Sequence, residues 1–241
     1  MNQFCLLVFG GEIQDKTLFR QRLAEAGQVL AADSGARHLL WEDQIPEQIF
    51  GDLDSLTAGE IRQFESKGCQ FVISPAEKND TDGGIALREA LRRGYKDIRI
   101  WGALGGRPDH SYANIMLLQL SLSPALRDIF GPGEEDRPEV VIEDGGLRLF
   151  LAKRKQWITG KTGEYLSVFA LTPEVSGFEQ TGLKYQPEGG RYISSFPLGV
   201  SNEFVQDRVW MNWREGVLLC MHISGSACDS PANNDPAKDN K

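Results

Sequence analysis

Two rhythms of apolar and polar positions run along the chain, and the change between them falls near residue 125. Before it, short apolar runs at 4–9, 29–32, 49–50, 71–73 and 98–101 read as buried strands, and the segments between them carry helical spacing. Asp15 can cap a helix that reaches Ala26 and stops at Gly27, and residues 36–42 are helical. Thr57-Ala58-Gly59-Glu60 is a capping box, opening a helix that ends at Gly68. Thr81 or Asp82 starts another helix that ends near Gly94, and 111–122 is helical again. Repeated strand–helix units predict an α/β fold, a parallel sheet with helices on both faces.

After the turn-rich segment 131–138, runs at 140–142, 147–152, 165–171, 192–195, 209–212 and 217–223 are short and rich in β-branched and aromatic residues. Gly, Pro or Asn separates them, which predicts an all-β, sandwich-like domain. The expected organisation is an α/β domain over 1–130, a β-sandwich over 139–224, and a disordered tail over 225–241 with almost no large apolar residue.

Composition narrows the function. The 241 residues are 41% hydrophobic and 25% charged, ordinary for a globular chain. A net charge of −8 argues against nonspecific nucleic-acid binding. It leaves phosphate-bearing substrates open, because a metal ion can bridge acidic side chains to phosphate oxygens. Cys5, Cys69, Cys220 and Cys228 lack zinc-type spacing, and the first three lie in apolar runs, as buried free thiols do. Gly10-Gly11-Glu12 ends the first apolar run too early for a signal peptide, and no stretch approaches the length of a membrane span. A reducing cytoplasm is the expected compartment.

Polar residues gather where the strands of the first half end, which is where open α/β sheets bind ligands. The clusters are Ala32-Asp33-Ser34-Gly35-Ala36, Gly51-Asp52-Leu53-Asp54-Ser55, Lys78-Asn79-Asp80-Thr81-Asp82, and the glycine-rich 102–110 with Arg107, Asp109 and His110, followed by Asn114. Asp52 and Asp54, two apart on a strand end, put both carboxylates on one side, where they repel unless a cation lies between them. Magnesium suits that chemistry; an isolated pair of this kind reads first as a solvated acidic turn, and the three other clusters at equivalent positions reverse that preference. Asp82 is either a helix-start acid or a metal ligand, and Thr81 can take the cap in its place. Glycines let backbone amides approach phosphate oxygens, and the planar fork of Arg107 can clamp one. In the second half, Thr181–Tyr185 and Gly199–Glu203 stand out, although turn chemistry alone accounts for both.

Taken in order, these motifs resemble the bacterial-type thiamine pyrophosphokinase family, from Ala32–Ala36 to Ser201-Asn202-Glu203. The resemblance implies magnesium-dependent transfer of a diphosphoryl group from ATP to thiamine, releasing AMP. It implies a homodimer with thiamine held between the α/β domain of one subunit and the β domain of the other. It assigns Asp52, Asp54 and Asp82 to the metal, with Arg107 and Asp109 completing the catalytic set. It assigns Asp33, Ser34, Lys78, Thr81, Gly106, His110 and Asn114 to the nucleotide, and Ser201 and Asn202 to thiamine. Ser34 stands where the family usually has Gly, and Asn79 replaces a common acid, with Asp80 as the neighbouring substitute. The rival readings are a pyrophosphokinase for another heterocyclic alcohol, such as a pterin, and a non-catalytic nucleotide or thiamine sensor. Retention of all four acids, Asp52, Asp54, Asp82 and Asp109, speaks against the sensor.

Overall fold

Cys5, Leu6, Leu7 and Val8 have no polar side chain among them, and all four are buried as strand β1 (Cys5–Val8). A strand covered on both faces needs such a run, and β1 is the central strand of a parallel sheet. The computed structural model describes residues 4–73 and 80–225. Lys78, Asn79, Cys228 and the segment from residue 226 onward lie outside the described residues. The chain divides into two compact units, the first ending at Asp144 and the second beginning at Gly145.

In the first unit, β1 is followed by α1 (Lys16–Glu25), β2 (Gln28–Ala32), α2 (Gly35–Trp41), β3 (Gln48–Gly51), α3 (Ala58–Ser66), β4 (Gln70–Ile73), α4 (Asp82–Arg92), β5 (Asp97–Trp101), α5 (Pro108–Leu117), α6 (Arg127–Phe130) and β6 (Glu139–Asp144). The strand order is β4-β3-β2-β1-β5-β6, and neighbouring strands in it pair in parallel. The order reverses between β1 and β5, so the carboxyl ends of these two strands flank the crevice where open α/β sheets bind ligands.

Local signals explain the helix starts. Asp15 accepts from the Leu18 amide at 2.9 Å, and Thr57 and Glu60 form both halves of the capping box. Helix α5 begins at Pro108, three residues earlier than its spacing suggests, because proline is preorganised for the first helical position. It then tightens into a 3-10 turn over Leu118–Leu122. Leu6, Val8, Phe19, Ala31, Ile49, Phe64 and Trp101 form a continuous core, in which Phe19 packs 5.4 Å from Trp101. Each such aliphatic or aromatic side chain contributes about 1.5–3 kcal/mol on burial.

The sequence places residues 140–142 with the β-rich half. Instead, β6 pairs in parallel with β5, and the units divide after it. Val140, Val141 and Ile142 are all buried, the pattern of a strand covered on both faces and not of an alternating sandwich strand.

The second unit contains β7 (Leu147–Leu151), β8 (Gln156–Thr159), β9 (Tyr165–Ala170), β10 (Glu174–Ser176), β11 (Glu179–Thr181), β12 (Arg191–Ile193), β13 (Arg208–Asn212) and β14 (Leu218–Ile223). β14 lies antiparallel between β7 and β9, β13 lies antiparallel between β11 and β8, and β10 pairs with β12. Strands β8, β10 and β11 escape the sequence pattern because each has only three or four residues and at most two adjacent apolar ones. Among the described residues no helix is long and apolar enough to cross a membrane.

Candidate functional site

Parallel pairing of β2 with β3 matches Ala32 to Phe50, so the residues just past both strands emerge side by side. Asp33 follows β2, and Asp52 and Asp54 follow β3. One carboxylate oxygen from each of Asp33, Asp52 and Asp54 lies within 4.8 Å of the others. Asp33 and Asp52 are half-buried and Asp54 is exposed. The turns that deliver them are strained, with Asp33 at φ 51° and Leu53 at φ 65° in the left-handed region. Aspartate tolerates that region better than leucine does, and strain of about 1–3 kcal/mol per residue clusters at functional sites.

The electrostatics follow from the crowding. A shared hydrogen bond with Asp52, and then the like charges of Asp52, Asp33 and Asp82, push the Asp54 carboxyl up. Ser55 donates to Asp33 Oδ1, and the Asp54 amide donates to Asp52 Oδ1 at 3.1 Å. Sequence reading misses the Ser55 contact, since nothing but adjacency marks it. Asp82 opens α4, where Thr81 Oγ1 takes the capping bond from the Gly84 amide at 3.0 Å. Asp80, the expected substitute for the acid at position 79, is committed elsewhere: it pairs with Arg88 and accepts from the Thr81 amide at 2.9 Å.

At the switch point, the loop after β1 runs beside the loop after β5. Phe9, Gly11 and Glu12 donate to the carbonyls of Trp101, Gly102 and Leu104 at 2.8, 2.7 and 2.9 Å. A side chain at Gly102, φ 66°, would run into the Phe9 carbonyl, so only glycine permits this approach. Ser34 caps no amide with its side chain, and its Oγ lies against Gly10. His38 donates from Nε2 to the Gly11 carbonyl at 2.8 Å, and burial holds its pKa down.

The glycine-rich loop then turns through Gly105 and Gly106 into α5. Arg107 and Asp109 are exposed and form a two-pronged pair at 3.1 and 2.6 Å. The Arg107 guanidinium, helped by the His110 amide, holds the Asp109 carboxyl down to about 2. The His110 side chain is exposed, and Asn114 donates to the Ala103 carbonyl at 2.7 Å, bracing the loop.

In the second unit the two residues expected to meet thiamine differ sharply. Ser201 is exposed at φ 53°, its amide held by Ser167 Oγ at 2.9 Å. Asn202 is buried, and its amide group is engaged with backbone: Oδ1 accepts from Tyr185 and Glu203 at 3.0 Å each, and Nδ2 donates to the Tyr185 carbonyl at 2.7 Å. Gln180, also buried, donates to the same carbonyl at 3.2 Å. Two buried amides thus clamp the backbone of Tyr185, a residue that is itself 59% exposed. Sequence reading passes over Tyr185 as a turn residue. The only available signal is its place at the end of Thr181–Tyr185.

The geometry so described suits chemistry on a polyphosphate. Carboxylates converge on one point, a cationic fork sits on a glycine loop, and an exposed aromatic residue stands on a clamped backbone in the β-rich unit. Comparison with known proteins agrees. The family model for the thiamin pyrophosphokinase catalytic domain matches residues 19–127, and the model for the thiamin pyrophosphokinase vitamin B1 binding domain matches residues 152–218. The thiamine pyrophosphokinase of Bacillus subtilis (strain 168) is 28% identical over 200 residues, spanning 79% of this chain and 84% of that protein. A crystal structure of thiamine pyrophosphokinase from Bacillus subtilis superposes with a TM-score of 0.76 at 23% identity, covering 92% of this chain and 99% of the other. One of thiamin pyrophosphokinase from Geobacillus thermodenitrificans gives 0.72 at 27% identity, covering 93% and 99%.

Proposed function

The chain belongs to the thiamin pyrophosphokinase family, and from that premise we propose which of its residues carry out the transfer. The reaction moves a diphosphoryl group from ATP to thiamine, giving thiamine diphosphate and AMP. The thiamine hydroxyl oxygen bonds to the β-phosphorus and gives up its proton to water, the bond from that phosphorus to the α,β-bridging oxygen breaks, and AMP leaves with the bridging oxygen. Such reactions depend on positioning and on charge stabilisation around the transferring group.

The observation that supports this assignment best is the convergence of Asp33, Asp52 and Asp54. Three hard oxygen donors on one point, one of them with its carboxyl pushed up by its neighbours, fit a small divalent cation. These three, with Asp82 beside them, would hold magnesium, which when bound neutralises charge on the triphosphate. Arg107 would leave Asp109 and take up phosphate oxygens, its fork matching either partner. Ser34, Thr81, Gly106, His110 and Asn114 would line or brace the nucleotide side, along with Lys78. Ser201 and the Tyr185 ring would meet thiamine, with Asn202 acting through the backbone it clamps. An exposed aromatic face on a fixed backbone suits a cationic thiazolium.

Incubation with ATP, magnesium and thiamine should yield AMP and thiamine diphosphate in equal amounts, read by chromatography. ADP with thiamine monophosphate would overturn the diphosphoryl assignment. Faster turnover of a pterin alcohol in the same assay would favour the rival substrate.

A homodimer with shared sites is part of the proposal. Phe196, Leu198 and Val200 are all more than half exposed on the second unit, as surfaces that meet a partner are. If each site draws on two chains, Asp54→Asn and Tyr185→Ala variants should each show little activity at low thiamine concentration and should complement when co-refolded. Two-fold symmetry then gives heterodimers with one intact site and roughly half the wild-type activity. Verified heterodimers without activity would place both residues in one chain's site. A cytoplasmic location is proposed on the same footing, supported by Cys5, Cys69 and Cys220 being buried free thiols.

A further inference from the structure

Buried His222 and half-buried Glu164 form a pair on the second unit that the transfer reaction does not use. His222 Nε2 donates to Glu164 Oε2 at 2.7 Å, with side-chain exposures of 7% and 14%. The other ring nitrogen, Nδ1, is buried with no hydrogen-bond partner among the described residues. A pair with an unmet nitrogen is a poor way to stabilise a core, where apolar side chains of similar volume do as well or better. Its value has to lie in what it orients.

The contacts around the pair say what that is. Glu164 Oε2 also accepts from the Lys161 amide at 3.0 Å, which fixes the turn entering β9. That turn is the template for the segment bearing Asn202. The Phe204 amide donates to the Glu164 carbonyl at 2.9 Å, the Gly163 amide to the Phe204 carbonyl at 2.9 Å, and the Leu166 amide to the Asn202 carbonyl at 2.7 Å. Phe204 is fully buried, its ring 5.2 Å from the His222 imidazole. His222 itself lies in β14, laddered to Arg148 on one side and Leu166 on the other, so the anchor is rigid.

We infer that His222 is a positioning residue for the thiamine-facing segment 201–204, acting through Glu164 and Phe204. The inference rests on the reading that Ser201 and Tyr185 meet thiamine. His222 touches no substrate. It keeps the turn at 161–164 in register with β14; the turn holds Phe204, β9 just beyond it holds the Asn202 carbonyl through the Leu166 amide, and the Asn202 side chain clamps Tyr185.

The test is steady-state kinetics on full-length variants, with KM for thiamine and for ATP measured separately. His222→Leu should raise KM for thiamine roughly tenfold, the worth of one buried hydrogen bond, with kcat and KM for ATP within about twofold. His222→Gln, which keeps a donor, should recover most of the loss. Glu164→Leu/His222→Leu, which fills the site with apolar volume, should melt no lower than the wild type and still show the raised KM for thiamine. That variant keeps the test decisive if His222→Leu alone does not fold. A double variant with normal KM for thiamine, or His222→Leu affecting both substrates equally, would overturn the inference and leave a purely structural pair. Tyr185→Ala, measured in parallel, separates the two failures. If it raises KM for thiamine and His222→Leu does not, only the positioning role falls. If Tyr185→Ala has no effect, the pocket reading falls and takes the inference with it.

Discussion

Asp52→Asn and Asp54→Asn are each expected to cut turnover by roughly a thousandfold while leaving the fold intact, the scale of losing several kcal/mol of charge stabilisation. Neither side chain is part of the hydrophobic core, and both project from the turn after β3. The sign of the accompanying stability change is diagnostic. Asp54 has its carboxyl pushed up by the neighbouring acids, so ionising it is less favourable in the folded chain than in the unfolded one. The repulsion is therefore present above the raised pKa and is relieved as pH falls through it. Without divalent cation, Asp54→Asn removes one of the repelling charges and should melt no lower than the wild type. Added magnesium should raise the melting temperature of the wild type and do so much less in Asp54→Asn. A magnesium-induced shift of equal size in both proteins, or near-normal turnover in both variants, would remove the carboxylate group as the metal site.

Arg107→Gln is expected to lower kcat/KM by roughly a hundredfold or more, with Arg107→Lys recovering only part, because a point charge cannot reproduce a two-pronged contact. The same variants decide whether Asp109 takes the proton of the thiamine hydroxyl. While paired with Arg107, Asp109 titrates at about 2 and is a weak proton acceptor. Removing Arg107 lets its pKa return toward the usual carboxylate range. A profile limited by Asp109 as base would then move its acid limb upward in Arg107→Gln. We expect no such movement, since phosphoryl transfer with a loose transition state asks little of a base. An upward shift of the acid limb, lost again in Arg107→Gln/Asp109→Asn, would restore Asp109 as the base.

Much of the first unit was legible because its signals are local. A capping box, a helix-capping aspartate and apolar runs fully buried in a parallel sheet each act over a few neighbouring residues, as Thr57 with Glu60, Asp15 with Leu18 and Cys5–Val8 illustrate. The candidate site was legible for the same reason: Asp52 and Asp54 sit two apart on one turn, and Arg107 and Asp109 two apart on another. Tertiary structure decided whatever depends on which strands lie side by side. Asp33 joins Asp52 and Asp54 only because β2 pairs with β3. The valine-rich β6 belongs to the parallel sheet only because β5 offers it a free edge. Asn202, which the family resemblance assigns to thiamine, is turned inward by backbone segments distant along the chain. His222 and Glu164 lie 58 residues apart with no motif to join them, and they meet because β14 pairs with β9. Short-range hydrogen bonding and periodicity are written into neighbouring residues, whereas strand pairing is a choice among distant segments settled by the free energy of the whole core.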